Sequence, residues 1–398
     1  MNYRFNIDLS LFVDACANGR LIRLHISSVH LHNFRTYGEA AIELGPGVVL
    51  FVGPNGTGKT NLVESLVYLS SLASHRVSAD ASLVREGEPE ADIGCSVTAD
   101  SRTVDINITI TASGSNSGRY NGHPVPRLRD LLGVLRLVVF APEDIDIIRR
   151  DPGDRRRFLD DLLLQLQPGS AHTRSDYDRV VKQRNSLLKS LRGQVLPDTH
   201  SETLQAWNEQ LVSTGSAIIN ERRQLIEALS GHVAAAYERL AQVRATVEVS
   251  YRSTIDDFSE DARSTEEAFT LALEAAESKE LERGMTMIGP HRDDVVIALN
   301  GMPARETASQ GECWSLALAL RLGAFALLRD DARGGGDPVL VLDDVFAQLD
   351  ENRRSQLAKE IDGVEQVLIT AAVEQDVPRA LDGRRFTVQP GVVMEVVS

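Results

Sequence analysis

Residues 53–60 constrain the fold of this chain more than any other segment. The apolar run VVLFV precedes them and the helical pattern KTNLVESLVYLSSL overlaps their end, so they form a glycine-rich turn between a buried strand and a helix. Glycine permits backbone angles that bring successive N–H groups around a phosphate, and the helix adds its positive end. We call this segment the phosphate cradle; its residues are Gly53, Pro54, Asn55, Gly56, Thr57, Gly58, Lys59 and Thr60.

A phosphate cradle that binds a nucleoside triphosphate also needs an acid to hold the metal ion, and a strand far along the chain supplies one. Residues 338–350 read PVLVLDDVFAQLD, in which four apolar residues are followed by two aspartates. We expect Lys59 to reach the β- and γ-phosphates of a nucleoside triphosphate and Thr60 to bind Mg²⁺ together with Asp343. Asp344 is the predicted catalytic base. Taken alone, the strand has an even chance of ending in an ordinary acidic turn; the cradle upstream favours the metal site.

Composition limits the function classes that remain. The chain has 398 residues and a formal net charge of −15, so any contact with nucleic acid must come from local basic patches. No stretch approaches the ~18–20 apolar residues of a membrane span, and the N-terminus is a poor signal peptide. The few scattered cysteines fit reduced thiols and a cytoplasmic protein without a membrane partner. They are Cys16, Cys95 and Cys313.

The order of strand and helix patterns predicts an α/β sheet domain built from both ends of the chain and interrupted by a mostly helical lobe. Strand patterns dominate before the interruption, helical patterns fill it, and strands such as PVLVLD and QVLIT return after it. The predicted segments are an extension without clear periodicity (1–23), the first part of the sheet lobe (24–150), the helical lobe (151–284) and the second part of the sheet lobe (285–398).

A further motif stands directly before the long apolar pattern CWSLALALRLGAFALL and consists of Ser309, Gln310, Gly311 and Glu312. In isolation, an ordinary capped core helix is the better interpretation of this tetrapeptide. The succession of cradle, β-rich segment, helical insertion, S-x-G and acidic strand nevertheless resembles the ABC-type ATPases. That resemblance implies that the tetrapeptide, here called the signature, completes the ATP site of a second copy. It also implies a D-loop role for Asp350.

One branch of these ATPases matches the chain best. The segment LHNFRTY resembles the opening strand of the DNA-repair ATPases RecF, Rad50 and SMC, and about 250 residues between Thr60 and Ser309 are too few for the long coils of the latter two. The stretches FAPEDIDIIRRDPGDRRRFLD and GPHRDD also resemble the RecF family. This resemblance implies an ATP-driven dimerising clamp on duplex or gapped DNA in recombinational repair and replication restart. The clamp would help RecR and RecO load the recombinase.

The chain departs from the ABC pattern in ways that suggest slow hydrolysis. Glu312 ends the signature where Gln is commoner, and Asp344 is one methylene shorter than the usual Glu. No histidine follows His291, so the switch histidine of transporters is missing. Glu143 is a candidate substitute for an absent glutamine near the nucleotide, and Arg35 is expected near the nucleotide as well.

Two basic segments are candidates for contact with DNA phosphates. The first is RRDPGDRRR (149–157) and the second a predicted helix between residues 179 and 192. Ion pairs at a domain junction are the alternative for the first segment, and a solvated helix face is the alternative for the second. The predicted contacts are Arg155, Arg156, Lys182, Arg184 and Lys189.

Two other functions stay open at this point. A transporter ATPase would need a membrane partner and usually has a helical subdomain of different size. A non-enzymatic scaffold would tolerate a degenerate site, which the intact Lys59, Thr60 and Asp343 argue against.

Overall fold

The fold is taken from a computed structural model that describes residues 24–74, 76–77, 79–99, 102–192, 198–241, 244–259, 262–331 and 336–396. The predicted extension, with Cys16, lies outside these residues. The strands are β1 (Leu24–Phe34), β2 (Tyr37–Glu43), β3 (Gly47–Val52), β4 (Glu90–Ala99), β5 (Arg102–Thr111), β6 (Ser117–Tyr120), β7 (His123–Pro124), β8 (Leu137–Phe140), β9 (Val247–Arg252), β10 (Asp294–Leu299), β11 (Met302–Pro303), β12 (Val339–Asp343), β13 (Gln366–Ala371), β14 (Arg384–Gln389) and β15 (Val392–Glu395). The helices are α1 (Lys59–Ser71), α2 (Ile145–Arg149), α3 (Pro152–Leu166), α4 (Ser170–Leu191), α5 (Asp198–Ala241), α6 (Thr265–Arg283), α7 (Ala304–Thr307), α8 (Gln310–Asp330) and α9 (Glu351–Glu360).

The chain divides into two compact units whose limits differ from the predicted ones. The first unit takes in the chain up to Ile145, the segment His232–Arg244 and the chain from Trp314 onward. The second consists of Asp146–Gly231 and Ala245–Cys313. The sheet lobe was expected to resume at residue 285, but β10 pairs with β9 along its whole length and so belongs to the second unit.

The first unit contains a mixed sheet that carries the cradle strand. Its order is β15-β14-β3-β13-β12-β8, with every neighbouring pair parallel except β14 and β15. All residues of β12 and β13 are buried, as expected for strands covered on both faces. The predicted α/β class is therefore confirmed.

A second, antiparallel sheet of the first unit has the order β2-β1-β4-β5-β6-β7 and shares a hydrophobic core with α1 and the mixed sheet. Gln366 joins the two sheets. Its buried amide accepts a hydrogen bond from Ile26 N at 2.8 Å and donates to Ile26 O and Gly45 O, each at 2.8 Å. Because the backbone groups of Ile26 are satisfied in this way, the β-rich subdomain has a fixed place against the cradle sheet.

The second unit combines helices with a small sheet of order β11-β10-β9. Its core includes Tyr177, Leu211 and Phe269. The sequence prediction overlooked β9, a strand of six residues that follows the 44-residue helix α5.

One helix in the described part of the chain is apolar and long enough to span a membrane, which corrects the expectation that no segment comes close. It is α8, and 72% of its most apolar window is buried inside the protein. A largely buried helix of this kind is a core helix, because its apolar surface is already covered by other residues.

Candidate nucleotide-binding site

The cradle is a tight turn between β3 and α1 that depends on its glycines. Gly56 and Gly58 have φ angles of 82° and 111°, in the region where side chains are strained. A Cβ atom on Gly53 would lie 2.2 Å from the carbonyl oxygen of Val388, so β14 passes too close for any side chain there. The hydroxyl of buried Tyr37 donates to Gly58 O at 3.1 Å and so stabilises the turn.

Lys59 is a buried cation at the end of the cradle. Its side chain is 5% exposed, and Nζ donates to Gly53 O at 2.6 Å and to Pro54 O at 3.1 Å. Burial lowers the pKa of the Lys59 ammonium, against the opposing effect of Asp344 and Asp343. Within the described residues no ion pair neutralises this ammonium. A cation held in this way among backbone groups fits an anionic ligand such as a phosphate.

The two predicted acids stand at the end of β12 and are tied to the next strand. Thr370 on β13 donates its hydroxyl to Asp343 Oδ1 at 2.5 Å, and its Oγ1 accepts from the backbone N–H of Asp344 at 3.0 Å. Asp344 has a φ of 54°, which is uncommon for a residue with a side chain. Burial raises the pKa of Asp343, while hydrogen bonds from Thr370 and Thr60 act in the opposite direction.

Thr60 and Asp343, the predicted Mg²⁺ ligands, both line one cleft. No group of three His, Cys, Asp or Glu side chains able to hold a metal occurs among the residues described here. A single carboxylate with a hydroxyl fits Mg²⁺ nonetheless, because this ion takes most of its remaining ligands from water and substrate phosphates.

The cradle and the acids line one cleft of about 290 Å³. Glu143, which follows β8, is exposed within the same cleft. The cleft is thus formed where β3, β12 and β8 end, at the carboxyl edge of a parallel sheet, which is the usual ligand-binding edge of such sheets. Its lining residues are Asn55, Gly56, Gly58, Lys59, Thr60, Asn61, Arg76, Pro142, Glu143, Asp343 and Asp344.

Comparison with known proteins identifies the family. The RecF/RecN/SMC N terminal domain matches residues 25–390. The chain is 44% identical to the DNA replication and repair protein RecF of Beutenbergia cavernae over 94% of this chain and 100% of that one. It is 46% identical to RecF of Frankia alni, over 93% and 99% of the two chains. The chain belongs to the RecF family.

A solved RecF structure has the same fold. The structure of the recombination mediator protein RecF-ATPrS in the RecFOR pathway is 28% identical, has a TM-score of 0.86, and matches over 95% of this chain and 99% of that one. RecF-family membership places the chain among the ABC-type and SMC-type ATPases, with a general role in recombinational repair. It decides against the alternative of a transporter subunit.

Two arginines lie near the cradle, and Arg76, not the predicted Arg35, lines the cleft. Arg35 donates to both carboxylate oxygens of buried Glu64, at 2.9 and 2.8 Å, and to Ser82 O at 2.9 Å, and it is not among the residues that line the cleft. Arg76 lines the cleft and donates to Asn61 Oδ1 at 3.2 Å. Arg76 could not be recognised from the sequence, because it lies in an irregular loop after α1.

The signature begins α8 with a reciprocal cap. Glu312 accepts from the backbone N–H of Ser309 at 2.8 Å, and Ser309 Oγ accepts from the N–H of Glu312 at 3.3 Å. This pairing is a capping box, which Glu and Gln can both form at this position. Ser309 and Gln310 are exposed, and Asp350 is exposed as the N-cap of α9.

Burial removes two arginines from the set of predicted DNA contacts. Arg155 is 4% exposed and its guanidinium pairs with Asp294 at 2.7 Å. Arg184 is 1% exposed and pairs with Glu280 at 2.6 Å. Both guanidinium groups are fully engaged inside the second unit, so neither is free to contact a phosphate.

The other three predicted DNA contacts differ in exposure. Half-buried Arg156 donates to Asp293 O at 2.8 Å. Lys182 and Lys189 are exposed on α4. In the GPHRDD segment, the ring of His291 hydrogen-bonds the hydroxyl of Tyr177 at 2.6 Å.

The cradle geometry yields a testable prediction. Gly53→Ala places a methyl group against Val388 O, so either β14 or the cradle must shift. We expect the affinity for a fluorescent ATP analogue to fall about tenfold, which corresponds to about 1.4 kcal/mol. The control is Gly45→Ala, whose added methyl would be 3.6 Å from Arg384 Nη1, an ordinary contact. Equal affinities for the two variants would show that the close approach of β14 does not matter.

Proposed function

We propose that this chain is an ATP-dependent DNA-binding protein of recombinational repair and replication restart, in which ATP joins two copies into a clamp. One observation carries the proposal: the buried ammonium of Lys59, which has no ion pair within the described residues, lies in the same cleft as Thr60 and Asp343. That combination fits a nucleoside triphosphate with Mg²⁺. The relatives described as RecF-ATPrS and RecF-ATP support ATP as the nucleotide.

The residues of the cleft have distinct roles in this proposal. The cradle N–H groups and Lys59 bind the phosphates, and Thr60 with Asp343 holds Mg²⁺, which would neutralise charge on the phosphate oxygens. Asp344 accepts the proton of the attacking water as general base. Glu143 borders the same cleft and takes the place of the glutamine that ABC-type ATPases carry near the nucleotide. The shorter side chain of Asp344 favours slow, Mg²⁺-dependent hydrolysis that resets the clamp.

Dimerisation follows from the exposure of the signature. Ser309 and Gln310 are exposed at the beginning of α8, where the positive end of the helix dipole favours an anion. We propose that the signature and Asp350 of one copy meet the nucleotide held by the other. The nucleotide's terminal phosphate would then favour the dimer over separate copies, and hydrolysis would release them.

DNA binding is assigned to the exposed face of α4. Lys182 and Lys189 lie on this face, with Arg179 and Arg192, and all four are exposed. Such a stripe contacts phosphates without reading bases, which suits a clamp on duplex or gapped DNA. RecR and RecO are the proposed partners in loading the recombinase, in keeping with the RecFOR pathway of the solved relative. A cytoplasmic location stays a prediction of the sequence.

Lys59→Ala tests the nucleotide switch. Without the ammonium the phosphates lose their buried cation, and we expect ATP to bind at least about tenfold more weakly. Light scattering should then find the ATP-induced dimer of the natural protein but single copies of the variant. ATP-dependent DNA binding should be lost as well. A variant that dimerises with ATP like the natural protein would contradict the proposal.

The double substitution Lys182→Ala with Lys189→Ala tests the DNA surface. Each lost phosphate contact lowers the slope of log K against log salt concentration by about 0.9, so we expect a decrease of about 1.8 and weaker binding to every DNA sequence. Fluorescence anisotropy with a gapped duplex at several salt concentrations measures this. The matched control is Lys279→Ala, an exposed lysine of the same unit on α6. If the control and the double variant bind alike, α4 is not the DNA face.

A further inference from the structure

Thr370 connects the two acids of the cleft through a single hydroxyl. It lies on β13, directly opposite Asp343 in the register with β12, and its side chain is 1% exposed. The hydroxyl donates to Asp343 Oδ1 at 2.5 Å and accepts from the backbone N–H of Asp344 at 3.0 Å. A hydroxyl has one proton to donate and lone pairs to accept, so Thr370 binds both residues at once.

The backbone of Asp344 has an unusual conformation that the hydrogen bond to Thr370 helps to hold. Its φ of 54° is sparsely populated by residues other than glycine and persists where neighbouring groups hold it. The N–H of Asp344 points to Thr370, with the carbonyl oxygen at 3.2 Å in addition to Oγ1 at 3.0 Å. The direction in which the Asp344 side chain leaves the backbone therefore depends on Thr370.

Among the residues of β13, all of which the structure describes, no other polar side chain stands at this end. The strand reads QVLITA, and its second polar residue, Gln366, stands at the opposite end and joins β1. No histidine follows His291 in the chain, so an imidazole is not available in this region either.

We propose that Thr370 is a positioning residue of the hydrolytic site, whose hydroxyl orients Asp343 toward the metal position and Asp344 toward the attacking water. This inference rests on the proposed ATPase function and assigns no contact between Thr370 and the nucleotide. The cradle, which binds the phosphates, is a separate segment of the chain. Loss of the Thr370 hydroxyl should therefore affect hydrolysis more than binding of ATP.

Thr370→Val removes the hydroxyl and keeps the β-branched shape, whereas Thr370→Ser keeps the hydroxyl. For the Val variant we expect kcat to fall at least about tenfold while the affinity for a fluorescent ATP analogue without Mg²⁺ stays within about twofold. The Mg²⁺ concentration that gives half-maximal enhancement of analogue binding should rise several-fold, and the ATP-held dimer should persist longer. The Ser variant should restore all of these quantities to within about threefold of the natural protein.

Thr109→Val is the matched control, since Thr109 donates to Asp92 Oδ1 at 2.6 Å across two strands of the antiparallel sheet, away from the cleft-lining residues. It should leave kcat and Mg²⁺ dependence unchanged. The inference is overturned if the Val variant matches the natural protein in both quantities, or if Val and Ser lose analogue binding equally with and without Mg²⁺. If the Val variant does not fold, Thr370→Cys replaces it, and a Cys variant equal to the natural protein overturns the inference. Absence of Mg²⁺-dependent hydrolysis in the natural protein would instead refute the proposed function.

Discussion

The parallel register of β3, β13 and β12 is the constraint on which the site depends. Thr370 on β13 stands opposite Phe51 of the cradle strand on one side and opposite Asp343 on the other. Two segments almost 300 residues apart in the chain therefore end at one edge of the sheet. Because Lys59 is the buried cation there and Asp343 the buried carboxylate, this register brings a phosphate-binding group and a metal-binding group into the same cleft.

The charges of the cleft explain why a nucleotide with its metal would stabilise a particular state of the protein. Burial disfavours the ionised forms of both Lys59 and Asp343, and the nearby Asp344 and Glu143 carboxylates add negative charge. A phosphate would compensate Lys59, and a divalent cation would compensate the acids. One copy would bind a nucleotide with its metal, which compensates both kinds of charge. The exposed signature of a second copy would contact that nucleotide. Whether two copies associate would therefore depend on which nucleotide is bound.

The sequence revealed those parts of the site that are contiguous in the chain. The cradle, the acids after β12 and the signature each depend on a few neighbouring residues, and local patterns specify them. Burial of Arg155 and Arg184 could not be predicted in this way, because their partners Asp294 and Glu280 are 139 and 96 residues away. The strand β9 was overlooked although VEVSYR alternates apolar and polar residues as a half-buried strand does; it follows a long helical pattern, and its partner β10 lies more than 40 residues further along the chain.

In the proposed dimer, two copies together complete each hydrolytic site. Mixing two inactive variants tests this claim most directly. Lys59→Ala disables the cradle and Ser309→Arg blocks the signature, so each variant alone should show almost no ATP hydrolysis in the presence of DNA. In an equal mixture about half of the dimers are mixed, and each of these has one site with an intact cradle and an intact signature, so about a quarter of the natural activity should return. A mixture no more active than its components, or a Ser309→Arg protein as active as the natural one, would contradict the claim.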